Sequence, residues 1–167
     1  MERREEIFDS ITKDVQTTDQ RDAFLEQVEE TSRWIYKGGK RVLSEKIKGA
    51  VSEEFRKLIV DLETSRQIPT GGADAKEFLE DLEKYLNKRV VVKLTLAFLP
   101  SQDFLEKLGV WFKKQTGKGS IFDVQVKEEI IAGCLFEYAG EYRDYSLASK
   151  LDAALEKELE EARLVKL

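Results

Sequence analysis

The chain has 167 residues, 33 of them acidic and 28 basic, for a net charge of −5. That length holds one domain or two small ones, and a mixed, slightly acidic charge argues against nucleic acid, which calls for a basic face. The sequence has no histidine, which removes the commonest general base, zinc ligand and partner of a nucleophilic Ser or Cys.

In chain order, Ile7, Phe8, Ile11 and Val15 share one face of a first helix from Glu2 to about Val15. Thr17 and Gln20 have capping-box spacing, so a second helix starts there. Its stripe is Phe24, Val28, Thr31 and Ile35, and Gly38-Gly39 is the expected stop. Trp34, beside that glycine pair, either closes the helical core or anchors a partner. From Lys40 to Arg66 a third apolar face recurs, with Gly49 and Ser52 leaving one bent helix or two shorter ones. Residues 1–67 therefore read as a helical bundle or hairpin.

Ile68 to Asp74 contains Pro69 and Gly71-Gly72 and reads as a linker over 68–74. Asp74 is placed to cap a helix carrying Phe78, Leu79, Leu82 and Leu86 on one face. Arg89 to Phe98 alternates as a strand, with Val90, Val92, Leu94, Leu96 and Phe98 on the apolar side. Phe104, Leu105, Leu108, Trp111 and Phe112 then mark a helix ending near Gly117. In Ile121 to Lys127 the side chains of Phe122, Val124 and Val126 are expected to point inward. A further strand follows from Ile130 to Tyr138, then a turn at Ala139-Gly140-Glu141 and a short return strand, Tyr142 to Asp144. Ser146 can cap a terminal helix whose Leu147, Leu151, Leu155 and Leu159 recur every fourth residue. Residues 75–167 thus predict a small mixed sheet flanked by helices, and the whole chain an α+β fold.

No catalytic centre emerges. A P-loop needs Ser or Thr after its Gly-Lys and a strand before it. Gly38-Gly39-Lys40-Arg41 and Thr116-Gly117-Lys118-Gly119-Ser120 have neither. Carboxylate pairs such as Glu53-Glu54, Glu128-Glu129 and Glu160-Glu161 diverge around a helix and read as solvated faces. The single cysteine, Cys134, sits in an apolar strand and reads as a buried, inert thiol. No apolar run approaches the roughly 20 residues that cross a bilayer. The first residues lack the apolar core of a signal peptide. No cofactor or metal, no nucleic acid and no direct membrane insertion are expected.

The stretch Val126 to Leu151 resembles the C-terminal signature of the F-type ATP synthase δ subunit, or oligomycin-sensitivity-conferring protein, family. The resemblance rests on Ala132-Gly133, the Gly140 turn, Asp144-Tyr145-Ser146 and Leu151, and reaches back to about Val90. Tyr145 stands where the family usually has glycine, and Ala148-Ser149-Lys150 replaces Arg-Gly-Arg. The family's N-terminal bundle is larger than the segment ahead of the linker, so the N-terminal half reads as shortened or divergent. The resemblance implies a non-catalytic stator subunit coupling the catalytic head to the peripheral stalk during proton-driven ATP synthesis. Gly133, Gly140, Asp144, Ser146 and Leu151 would be structural. The implied partners are the b-type stalk helices, met by the C-terminal half, and the α subunits, met by the N-terminal half. Leu155, Leu159 and Leu164 are candidates for that contact. The implied location is cytoplasmic, peripheral on the inner face of the energy-coupling membrane. The rival reading is a helical interaction adaptor unrelated to ATP synthase.

Overall fold

The computed structural model describes residues 2–37, 39–130, 132–147, 149 and 151, in two compact units, Met1–Val90 and Val91–Leu167.

The first unit is helical: α1 (Glu2–Ile11), α2 (Thr18–Trp34), α3 (Leu43–Lys46), α4 (Glu53–Thr64) and α5 (Gly72–Asn87). Thr17 starts α2 through a reciprocal box. The Gln20 N–H donates to Thr17 Oγ1 at 3.2 Å, and the Thr17 N–H donates to Gln20 Oε1 at 3.1 Å. The Lys40–Arg66 stretch is two helices. Gly49, at φ +78°, separates them, and Ser52 Oγ accepts the Phe55 N–H at 3.2 Å to start α4. One buried cluster joins Phe8, Val28, Phe55, Ile59 and Leu62 to Phe78, Leu79 and Leu82.

That cluster corrects the expected division at 68–74. Helix α5 packs on the N-terminal helices, and Phe78 meets Phe8 edge to face at 5.2 Å. Pro69 and the glycine pair therefore turn the chain within the bundle. The start of α5 differs too: Gly71 is its N-cap and makes no side-chain cap, while Asp74 lies in the first turn, where a carboxylate favours the helix dipole.

A polar tie adds to the packing. Arg89, whose side chain is 10 % exposed, donates to Val15 O at 3.0 Å and also to Thr12 O and Thr12 Oγ1. These groups follow the end of α1, where carbonyls lack helical partners. Tyr85 donates its hydroxyl to Asp9, and burial together with that carboxylate pushes its pKa up to about 12.

The second unit contains β1 (Val90–Leu96), α6 (Gln102–Thr116), β2 (Ser120–Val126), β3 (Cys134–Tyr138) and β4 (Glu141–Asp144). The mixed sheet runs β2-β1-β3-β4, with β1–β3 and β3–β4 antiparallel. Val92, Leu94 and Leu96 are buried as the alternation predicts. Ser101 caps α6, and Gly117 ends it in the left-handed conformation at φ +71°.

Two strand expectations need correction. In β2, Ile121 and Phe122 are both fully buried and Val126 is exposed, so the start of β2 is covered on both faces. The third strand begins at Cys134, because Gly133 at φ +98° departs from extended geometry.

Candidate functional site

The signature residues meet where the chain leaves β4. Tyr145 N–H donates to Cys134 O at 2.9 Å and Leu147 N–H to Ala132 O at 2.8 Å, so backbone pairing brackets Gly133. A Cβ on Gly133 would lie 2.3 Å from Tyr145 O and 2.8 Å from Ser146 Cα. No side chain fits there.

Asp144 and Ser146 form a local relay. The Ser146 N–H donates to Asp144 Oδ1 at 2.7 Å, and the Ser149 N–H donates to Ser146 Oγ at 3.2 Å. Bonds from the hydroxyl and the N–H of Ser146 hold the Asp144 carboxyl below its ordinary pKa. Ser146 is buried. Ser146→Ala is expected to cost about 1 kcal/mol, read as a lower urea midpoint at unchanged slope.

Gly140 serves the neighbouring turn. Tyr138 faces Glu141 across a two-residue loop in which Ala139 has φ +52° and Gly140 φ +81°. Positive φ at both central positions is the type I′ arrangement, which suits hairpin twist and favours Asn-Gly. Alanine carries strain there that asparagine relieves. Ala139→Asn is expected to stabilise the second unit by roughly 0.5–1 kcal/mol, raising the thermal midpoint.

Beside this hairpin lies a groove of about 410 Å³ lined by Trp111, Phe112, Phe136, Tyr138, Arg143 and Tyr145, among others. Phe112 meets Tyr138 edge to face at 5.0 Å, and Phe136 meets Tyr145 at 6.0 Å. Trp111, one of the residues that marked this helix in the sequence, is 53 % exposed at its mouth. Periodicity identified its helical face but not the groove.

The remaining candidates are dispersed. Trp34 is half-buried against the first unit's core, donates to Glu30 Oε1 at 2.9 Å and lies under Lys37 Nζ at 4.7 Å. Leu151 is exposed. Leu155, Leu159 and Leu164, with the rest of the terminal helix, lie outside the described residues. Cys134 is half-buried rather than buried, and burial followed by the charge of Asp144 raises its pKa, away from thiolate reactivity. Among the described residues no His/Cys/Asp/Glu group is suited to hold a metal ion, and no helix is long and apolar enough to cross a membrane.

The family model of the ATP synthase delta (OSCP) subunit matches residues 2–159. The chain belongs to that family. It is a non-catalytic peripheral-stalk subunit of F-type ATP synthase. No curated protein sequence matches it significantly. The match covers both units, so the delta (OSCP) relationship is not confined to the C-terminal half. With α5 inside the bundle, the N-terminal unit is also longer than the 67 residues first assigned to it. Its partners are those of an ATP synthase complex, which is membrane-associated.

Proposed function

We propose that the two units divide the stator's contacts. The C-terminal unit takes the b-type stalk helices, and the N-terminal helices take the α subunits of the catalytic head. The complex lies at the cytoplasmic, inner face of the energy-coupling membrane. The observation that carries this reading is the family match across residues 2–159, which spans both units. A stator must bind at two places to resist rotation, and two units with separate contact networks provide two grips.

Leu155, Leu159 and Leu164 belong to the stalk contact in this reading, flanked by Glu156, Glu160 and Glu161. A stalk helix then offers Lys or Arg at its rim, which affects association rate more than affinity. Cross-linking mass spectrometry on the native complex tests the assignment. Lysines 107–127 should link to stalk subunits and lysines 37–57 to the head. Links in the reverse sense refute the division.

A further inference from the structure

Strand β4 closes one side of the sheet, and its far edge is open. In the order β2-β1-β3-β4 it pairs with β3 alone among the described residues, and all four of its residues are exposed. Which backbone groups face outward follows from the hairpin. Tyr145 N–H donates to Cys134 O, so these two residues form a hydrogen-bonded pair. Such pairs alternate along an antiparallel ladder. The N–H and C=O of Glu141 and Arg143 therefore turn toward β3, and those of Tyr142 and Asp144 turn outward. Side chains alternate as well. Glu141 and Arg143 share the groove face with Tyr138 and Phe136. Tyr142, 61 % exposed, shares the other face with Glu137, which pairs with Lys93 at 3.2 Å.

Charges on an edge strand usually oppose pairing with another chain. Here their order makes the strand complementary to itself. In a two-fold pair, residue i of one copy meets residue j of the other, and j meets i. Opposed residues must also send their side chains to the same face, so a two-fold register is centred on Glu141, Tyr142, Arg143 or Asp144. Every centre but Tyr142 sets a charged residue against its own copy, and like charges directly opposite are destabilising. The register centred on Tyr142 sets Glu141 against Arg143 twice over. It also makes Tyr142 a hydrogen-bonded pair with its own copy, through the backbone groups that point outward. Within one copy Glu141 and Arg143 already pair at 3.1 Å. Two such pairs laid antiparallel form a square of alternating charge.

We propose that two copies of the free subunit pair antiparallel through β4, with Tyr142 on the two-fold axis, so that their four-stranded sheets join edge to edge. The pairing goes beyond the stator assignment and does not depend on it. Four residues a side fall well short of the roughly 1,600 Å² of a standard interface. The pair is therefore weak and reversible, with a dissociation constant on the order of 0.1–1 mM. It forms where the subunit is concentrated and dissolves on dilution.

Sedimentation equilibrium of the full chain, across concentrations bracketing that constant, tests the pairing. Glu141→Arg and Arg143→Glu each set like charges opposite one another and should weaken association about tenfold or more. An equimolar mixture of the two variants should regain it as a mixed pair. The double variant, Glu141→Arg with Arg143→Glu, should regain it with itself. A variant that merely misfolds cannot give this pattern of loss and rescue. Tyr142→Cys in a chain with Cys134→Ser should form a disulfide-linked dimer on mild oxidation, because Cα atoms of a hydrogen-bonded pair lie about 5.5 Å apart, within disulfide reach. A chain that stays monomeric across that range overturns the proposal, and so does a dimer that neither single charge reversal weakens. So does a monomeric chain whose position 142, carrying p-benzoylphenylalanine in the native complex, links to another subunit, since the edge then belongs to that subunit.

Discussion

Gly133→Val is expected to destabilise the second unit by about 3 kcal/mol or more, the largest effect of any single substitution considered. Two causes add. At φ +98° an L side chain is strained wherever it stands, and a β-branched one most. Its Cβ would also meet Tyr145 O at 2.3 Å, and the atom that must give way is backbone. Moving Tyr145 pulls on its bond to Cys134 O and on the Leu147–Ala132 bond, so relief of the clash breaks the pairing that brackets it. Gly140→Ala is the control. Gly140 also has positive φ, but no atom lies within 4 Å of its would-be Cβ, so only strain of about 1–2 kcal/mol remains. Urea unfolding of both variants separates clash from strain. Equal midpoints would mean that the approach of Tyr145 to Gly133 does not constrain the fold.

Cutting the chain at the apparent linker should be as damaging. Residues 1–67 are expected to show no cooperative unfolding, whereas residues 1–89 should. The shorter piece lacks Phe78, Leu79 and Leu82, each almost fully buried. At roughly 1.5–3 kcal/mol for each such side chain, their loss rivals the 5–15 kcal/mol net stability of a typical domain. The complementary fragment 75–167 carries α5 with the same apolar face uncovered, an invitation to aggregate. Fragment 90–167 avoids that exposure and should remain soluble at higher concentration. Chemical denaturation of the N-terminal fragments and light scattering of the C-terminal ones give the readouts. A cooperative transition in residues 1–67 equal to that in 1–89 would show that α5 is dispensable to the bundle.

Local signals are legible in the sequence at several helix ends, with Asp74, expected as a cap but found in the first turn of α5, as an exception. The Thr17–Gln20 box and the Gly117 stop lie where capping chemistry puts them, whereas Ser52 and Ser101 cap α4 and α6 without having been read as caps. Val92, Leu94 and Leu96 are buried as period-two alternation requires. What periodicity cannot say is what covers a face. Phe78, Leu79, Leu82 and Leu86 mark α5 as amphipathic, yet nothing in their spacing tells which unit buries them. On α6 the same rule groups Phe104, Leu108 and Trp111 with Leu105 and Phe112, although only the latter pair is buried. Gly133 was visible as part of a family pattern. The reason for it, a backbone crossing from twelve residues downstream, is a tertiary fact. The double burial of Ile121 and Phe122 is also tertiary, since alternation presumes one wet face.

Arg89 is the last side chain before β1, and its guanidinium is tied to the oxygens of Thr12 and Val15 on the segment that joins α1 to α2. A pull on the chain at Val90 reaches this fork before it reaches the hydrophobic face of α5. Because the fork holds several acceptors on a distant part of the sequence, separating the end of α5 from that segment requires several hydrogen bonds to break together. The bundle is thereby pinned by polar bonds at the end through which its own polypeptide leaves it.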